Sequence, residues 1–305
     1  MFNQLVIRMF PIIPRPIIHQ VAGRYIAGET KEKAIAVIRS LGERGFVTTA
    51  DELGEDTERW EQATQAGADY LELMEALAAA GVERNVSIKL TQFGLRINPE
   101  GAFDLLRRVL DTAAKHDFFV RIDMEDATVT DITLDFYRRA REIYPRVGTV
   151  LQSRLFRTVD DARQLAAEGA NIRLCKGIYK EHRGIAQMGR EEIREGFMEA
   201  ATALMEGGAY VALATHDVPL IHRLKAEITR LKKQKDEVEF QALLGVPMRR
   251  TLESLRDEGF TVRLYVPYGK EWYAYSVRRL KENPDMATAI AKSLFSRDRL
   301  DASSA

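Results

Sequence analysis

Lys89, Asp123, Gln152, Arg173, Lys176, His216, Gln241 and Tyr265 each close a short apolar run, and together they offer cations, a carboxylate, amides, an imidazole and a phenol. Such groups are costly in a protein interior unless they are paired or meet a ligand, so their recurrence at the same point of successive runs argues for one shared binding site. Singly, each is ambiguous. Lys89 with Asp123 reads equally as a structural ion pair, and Gln152 or Gln241 as a satisfied core amide. His216, within ATHD at 214–217, offers a general base or a metal ligand, but no neighbouring histidine or carboxylate pair has ligand spacing and no metal is expected. His19, His116, His182 and His222 lack a triad pattern, which sets Ser-His-Asp hydrolysis aside.

A second constellation lies near the C-terminus. In KEWYAYSVRRLKENP, residues 270–284, Tyr275, Arg278, Arg279 and Glu282 fall at i, i+3, i+4 and i+7 and share one helix face. Two neighbouring guanidiniums can hold a small carboxylate by fork geometry while a tyrosine covers its apolar body. The alternative is an exposed arginine face tied to Glu282 by helix pairs. No GxGxxG is present, which disfavours a Rossmann site; a nucleotide cofactor must then lie across the strand ends, where Arg173 and Lys176 can face its phosphates or ring.

The elements that must position these groups follow from hydrophobic patterning. Candidate strands run at 46–49, 86–90, 118–123, 147–152, 171–176, 210–214, 238–241 and 262–266, with a helical segment after each. Eight βα units without an interposed domain predict a (β/α)8 TIM-type barrel, with an open doubly wound sheet as runner-up. Residues 57–81 predict a helix capped by Asp56 or Thr57 and ended by Gly81; residues 31–44 predict an amphipathic helix leading into the barrel. The domain reading is an N-terminal helical arm, 1–45, and a barrel, 46–305, as one unit. Residues 225–237 read as a mixed-charge helix with a solvated face.

Composition narrows the function classes. The 45 basic and 45 acidic residues cancel, which leaves no overall field to attract nucleic acid. A single cysteine, Cys175, permits neither an internal disulfide nor a structural zinc site, suggests a reducing, cytoplasmic compartment, and reads as a packing residue. The apolar N-terminal segment is broken by Pro11, Arg15 and other prolines and lacks a small-residue cleavage site, so it reads as an arm packed on the protein or touching a membrane surface.

Taken together, SIKL (87–90), RIDMED (121–126), VLQSRL (150–155), RLCKGIY (173–179), ATHD, EFQALLGV (239–246) and RLYVPYGKEWYAYSVRRLKENP (263–284) resemble proline dehydrogenase in its short monofunctional bacterial form. The resemblance implies a (β/α)8 flavoprotein that oxidises L-proline to Δ1-pyrroline-5-carboxylate by hydride transfer from C5 to the N5 of FAD, as the first step of proline catabolism. It implies that Arg278 and Arg279 bind the substrate carboxylate, that Lys89, Asp123, Tyr179 and Tyr265 complete the pocket, and that Tyr275 and Glu282 steady the arginine face. Arg173, Gln152, Lys176, Thr215 and His216 are implied FAD contacts, with Arg190 a further candidate for the phosphates. Electrons would pass to a quinone, which implies peripheral contact with the inner face of the cell membrane, and the product would be handed to a pyrroline-5-carboxylate dehydrogenase. Departures from the family pattern are Cys175 for valine, Ile178 for alanine and Asp217 for asparagine. Hydroxyproline as substrate, or a catalytically silent amino-acid-binding barrel, are the rival readings.

Overall fold

The computed structural model describes residues 25–272. The N-terminal segment before residue 25, Tyr275, Arg278, Arg279, Glu282 and the helix expected after the eighth strand lie outside the described residues. Within them, the chain runs α1 (Lys31–Glu43), β1 (Val47–Glu52), α2 (Trp60–Ala80), β2 (Asn85–Ile88), α3 (Pro99–His116), β3 (Phe119–Ile122), a 3₁₀ turn at Ala127–Val129 and α4 (Thr130–Ile143). It continues with β4 (Val147–Gln152), α5 (Thr158–Ala167), β5 (Asn171–Cys175), α6 (Arg190–Glu206), β6 (Tyr210–Ala214), α7 (Val218–Arg230), β7 (Val238–Leu243), α8 (Arg249–Asp257) and β8 (Thr261–Tyr268). The strands form a closed parallel barrel in sequence order, shut by pairing of β1 with β8, so the expected (β/α)8 architecture is what the chain adopts.

The helices bury their inner stripe against the outside of the barrel. In α2 the buried positions are Ala63, Ala66, Gly67, Tyr70, Leu73, Met74 and Leu77, at the spacing that keeps one helical face inward. Each large apolar side chain so covered contributes about 1.5–3 kcal/mol relative to exposure. Helix α3 starts on Asn98, whose side chain accepts from the Gly101 amide at 3.1 Å, with Pro99 in its first turn, and α1 starts on Thr30.

Three local expectations change. The start of α2 is not capped by Asp56 or Thr57: the helix begins at Trp60, and Gln62 Oε1 accepts from the amides of Glu58 and Arg59 at 3.1 and 3.0 Å. Asp56 and Thr57 are instead committed to the β2 loop, Asp56 donating its amide to Thr91 Oγ1 at 2.9 Å and Thr57 its hydroxyl to the Thr91 carbonyl at 3.0 Å. Gly81 does end the helix, in the left-handed conformation. Second, the charge-dense helix stops at Arg230 rather than 237, because Lys232 adopts φ 54° and turns the chain toward β7. Its charges pair with one another, Arg230 with Glu227 at 2.7 Å and, in the turn beyond the helix, Lys233 with Glu237 at 3.1 Å. Third, β1 extends past Thr49 to Glu52, which brings Asp51 into the barrel.

Candidate active site

Side chains alternate along a strand, so residues i and i+2 on each strand stack as successive layers inside the barrel. On β3 these are Arg121 and Asp123, the latter just past the strand's last residue; on β7, Glu239 and Gln241; on β8, Arg263 and Tyr265. The lower set closes on itself. Arg263 donates to Glu239 Oε1 at 3.0 Å, to Glu83 Oε1 at 3.0 Å and to the Thr48 carbonyl at 2.7 Å. Arg121 donates to the carbonyls of Thr149 and Asn171 at 2.9 and 2.8 Å and to Asn171 Oδ1 at 2.6 Å. Burial, with the charge of Arg173 above it, lowers the Arg121 pKa to about 9.

The upper set opens onto the C-terminal ends of the strands, the end at which barrels of this kind build their sites. Lys89 Nζ donates to Asp51 Oδ1 at 2.7 Å and to Tyr265 Oη at 3.2 Å, and lies 3.6 Å from Asp123 Oδ2. Tyr265 Oη donates to that same Asp123 oxygen at 2.8 Å. Arg173 donates to Asp123 Oδ1 at 2.6 Å, Gln241 Oε1 at 2.6 Å and Ser87 Oγ at 3.0 Å, with its guanidinium 5.2 Å from the centre of the Tyr265 ring. Asp51 is fully buried; burial raises its pKa, Lys89 opposes that, and the charge of Asp123 adds to it. Lys89, Asp123, Arg173 and Tyr265, expected at a common strand end, form one connected network with both charge signs interleaved. Asp51, Ser87 and Gln241 are what hold it.

Neighbouring strand ends carry a second group. Gln152 donates to the Glu125 carbonyl at 2.7 Å. His216 Nε2 accepts from the Leu243 amide at 3.1 Å, so the imidazole is neutral with its proton on Nδ1. The residue is exposed at the surface, so the downward push on its pKa from burial, and then from the charge of Lys176, is softened by solvent, and the hydrogen bond fixes the tautomer. Thr215 accepts from the Asp217 amide at 3.2 Å, and Lys176 pairs with Asp217. Tyr179 lies in the loop after β5 and its hydroxyl donates to Glu55 Oε2 at 3.3 Å, which links loops on opposite sides of the mouth. Arg190 is the first residue of α6, with an exposed side chain. Cys175 packs partly buried against the core at the end of β5, as a packing residue should.

Sequence reasoning missed several of these groups. Asp51 was hidden because the apolar run 46–49 ends before it; only i, i+2 alternation from Thr49 would have exposed it. Glu125, almost wholly buried at the rim, holds the β2 loop by accepting from the Thr91 amide at 3.1 Å and from the Thr91 hydroxyl, and burial raises its pKa to about 7. Arg194 and Glu55 come from a helix and a loop, and no spacing rule connects them to the strand ends. Among the described residues no group of three or more His, Cys, Asp or Glu is arranged to hold a metal ion.

The closed parallel barrel puts the chain in the (β/α)8 class, and the buried cation–carboxylate–phenol network stands at the C-terminal ends of the strands, where that class builds its sites. The comparisons with known proteins agree and are more specific. The family model for proline dehydrogenase matches residues 34–292, and the chain belongs to the proline dehydrogenase family. It is 34% identical over 274 residues to proline dehydrogenase 1 of Bacillus subtilis, covering 90% of both chains. It is 35% identical over 282 residues to the proline dehydrogenase of Deinococcus radiodurans, again covering 90% of both. Among solved structures it superimposes on proline utilization A from Bdellovibrio bacteriovorus inactivated by N-propargylglycine with a TM-score of 0.80 and 27% identity. That match covers 88% of this chain and 33% of the larger protein.

Proposed function

We propose that this chain is an FAD-dependent proline dehydrogenase that oxidises L-proline to Δ1-pyrroline-5-carboxylate and passes the electrons to a quinone. The observation that carries the reading is the Lys89–Asp123–Arg173–Tyr265 network at the barrel mouth, at positions matching the family motifs. The donor set beside it fits a flavin dinucleotide. Arg173 and Lys176 supply positive charge, Gln152 and Thr215 neutral polar groups, and the neutral His216 a ring proton on Nδ1. The backbone at Gly177 adopts φ 90° and passes close enough to Gln152 Oε1 that a Cβ would come within 2.9 Å, so the cradle between β4 and β5 is kept free of side chain. When bound, FAD would supply the two-electron acceptor for the hydride leaving proline C5.

The chain's own residues orient the substrate. By the family resemblance Arg278 and Arg279, which lie outside the described residues, would bind the proline carboxylate with Tyr275 and Glu282 steadying them, and Lys89 would add a third cation. Lys89 cannot swing freely, because Asp51 and Tyr265 fix its ammonium from below and beside. Arg173, held by Asp123, Gln241 and Ser87, presents a rigid positive charge to the flavin side of the pocket. The added cations of Arg278 and Arg279 beside the substrate would lower the pKa of its amine and favour the neutral form needed for hydride loss without a dedicated side-chain base. Tyr265 argues for proline over hydroxyproline: its hydroxyl is committed to Asp123 and Lys89, and the family branch that prefers hydroxyproline carries a smaller residue at the matching position. Tyr179 and Ile178 border the pocket, and Arg190 at the start of α6 is a candidate phosphate contact. Quinone use places part of the surface against the inner face of the membrane; among the described residues no helix is long and apolar enough to cross one. The product would pass to a separate pyrroline-5-carboxylate dehydrogenase.

The test is anaerobic addition of L-proline to purified protein while the visible flavin bands are recorded. Bleaching is expected. A bound flavin that hydroxyproline reduces tenfold more efficiently would move the substrate, and a protein that takes up no FAD would overturn the reading.

A further inference from the structure

Asp217 stands at an ion-pair junction that the proposed reaction does not use. Its side chain is 5% exposed and receives a bidentate fork from Arg194, Nε at 2.6 Å and Nη2 at 2.9 Å, while Lys176 Nζ contacts the same Oδ2. Three elements meet there: Lys176 follows β5, Asp217 precedes α7, and Arg194 lies in the second turn of α6. On its outer side Arg194 also contacts Glu191 at 2.9 Å, and Glu191 and Glu195 meet Arg223 at 3.5 and 2.8 Å, which ties the junction to a solvated surface network. On the inner side lies Lys176, whose charge acts on His216. Burial alone would raise the Asp217 carboxyl, but the hydrogen bonds from Arg194 and Lys176 hold it well below the usual carboxylate range, so it is ionised at any working pH. Glu191 is largely exposed and screened by solvent, so on the buried side Lys176 and Arg194 against Asp217 leave one positive charge in excess.

Two features set it apart from a surface salt bridge. Asp217 is nearly dry, where electrostatic interactions are screened least. The bidentate arginine also restrains the carboxylate, so Lys176 is held by a partner that is itself fixed. We propose that Asp217 and Arg194 are positioning residues that hold Lys176 at the flavin side of the mouth and, through the net charge of the three, set the reduction potential of the bound flavin. The inference rests on the flavin reading above. Reduction adds electron density to the flavin, so positive charge nearby favours the reduced form and raises the potential, and negative charge lowers it.

The experiment compares flavin-loaded wild type with Asp217→Asn, Arg194→Gln and the double variant, measuring midpoint potential and FAD dissociation constant. Asp217→Asn takes the junction to two positive charges and is expected to raise the potential. Arg194→Gln takes it to zero and is expected to lower the potential, while the double variant restores one and returns toward wild type. A merely structural role would shift both single variants the same way, or shift stability alone, and either result overturns the proposal. If a single variant releases FAD, rebinding in the double variant supports the charge argument, and loss in all three overturns it. A wild type that takes up FAD but shows no opposed shifts sinks this inference only, whereas a wild type that takes up none sinks the functional reading beneath it.

Discussion

The two ends of the barrel interior use the same residue types for different ends. At the lower end Arg121, Glu239 and Arg263 are as charged and as buried as Lys89, Asp123 and Arg173 above them, and on β3, β7 and β8 a lower residue lies two positions before an upper one. Below, the cations are spent on backbone carbonyls, Asn171, Glu239 and Glu83, and Gly148 lets the Arg121 guanidinium approach the strand directly. Above, Lys89 and Arg173 likewise meet side chains of other strands, Asp51, Asp123 and Gln241, but at the C-terminal ends of the strands. Buried charge inside a barrel therefore does not by itself mark a site. Position at the C-terminal end, where barrels of this kind build their sites, is what makes the upper set the candidate.

The largest test of that contrast is at Asp123. Asp123→Asn keeps the shape but removes the charge that fixes Arg173 and accepts from Tyr265. We expect kcat/KM for proline to fall by about 10²–10³, roughly 3–4 kcal/mol of transition-state stabilisation, with most of it in kcat. Steady-state kinetics on the flavin-loaded variant measure this, and a loss below tenfold would place Asp123 with the structural charges.

The two buried glutamates sharpen the comparison through pH. Glu125 at the upper rim has its pKa raised to about 7 by burial against weaker opposing hydrogen bonds from Thr91. For Glu239 below, burial pushes upward as well, but Arg263 overcomes it and the pKa is lowered. The signs differ accordingly. Glu125 releases its proton more readily in the unfolded chain, so its contribution is intact below the unfolded value of 4.5 and is lost as pH rises through about 7. The contribution of Glu239 is present above the unfolded value and is lost as pH falls through its depressed folded value. Glu125→Gln should therefore gain on wild type by up to ~3 kcal/mol between pH 5 and pH 8, read as the difference in chemical denaturation midpoints at the two pH values. A constant difference across that range would show that Glu125 is ionised throughout.

The eight strands were legible because each is a short apolar run between turn-forming residues, and the closed barrel followed from their number. The candidate site was legible to the extent that polar residues close those runs: the structure brings Lys89, Asp123, Arg173 and Tyr265 together. Asp51 was not, since a strand that ends in charged residues gives no apolar signal for its last positions. Arg194 and Glu55 were not, because helix and loop residues reach the mouth through tertiary geometry that no sequence period encodes. The start of α2 was misplaced for a related reason. Asp56 and Thr57 are good capping residues in isolation, but their hydrogen bonds go to Thr91 across the mouth, and tertiary contact outweighed local preference.

Gly148 gives the smallest and cleanest test, because it touches only the lower end. A Cβ there would lie 2.3 Å from Arg121 Nη1 and 2.7 Å from the Asn171 carbonyl oxygen. The first is the end of a side chain that could shift, but that side chain is anchored by three hydrogen bonds, and the second is strand backbone that cannot yield without disturbing β5. Gly148→Ala should therefore destabilise the fold by about 1–3 kcal/mol, the usual cost of overpacking a dense interior. Urea denaturation measures the loss. The flavin-loaded, folded fraction should keep wild-type kcat/KM, because none of the residues displaced belongs to the upper network. If Gly148→Ala instead cut kcat/KM with little change in stability, the lower charges would be transmitting to the site through the paired strands, and the division of the barrel into a structural end and a chemical end would be wrong.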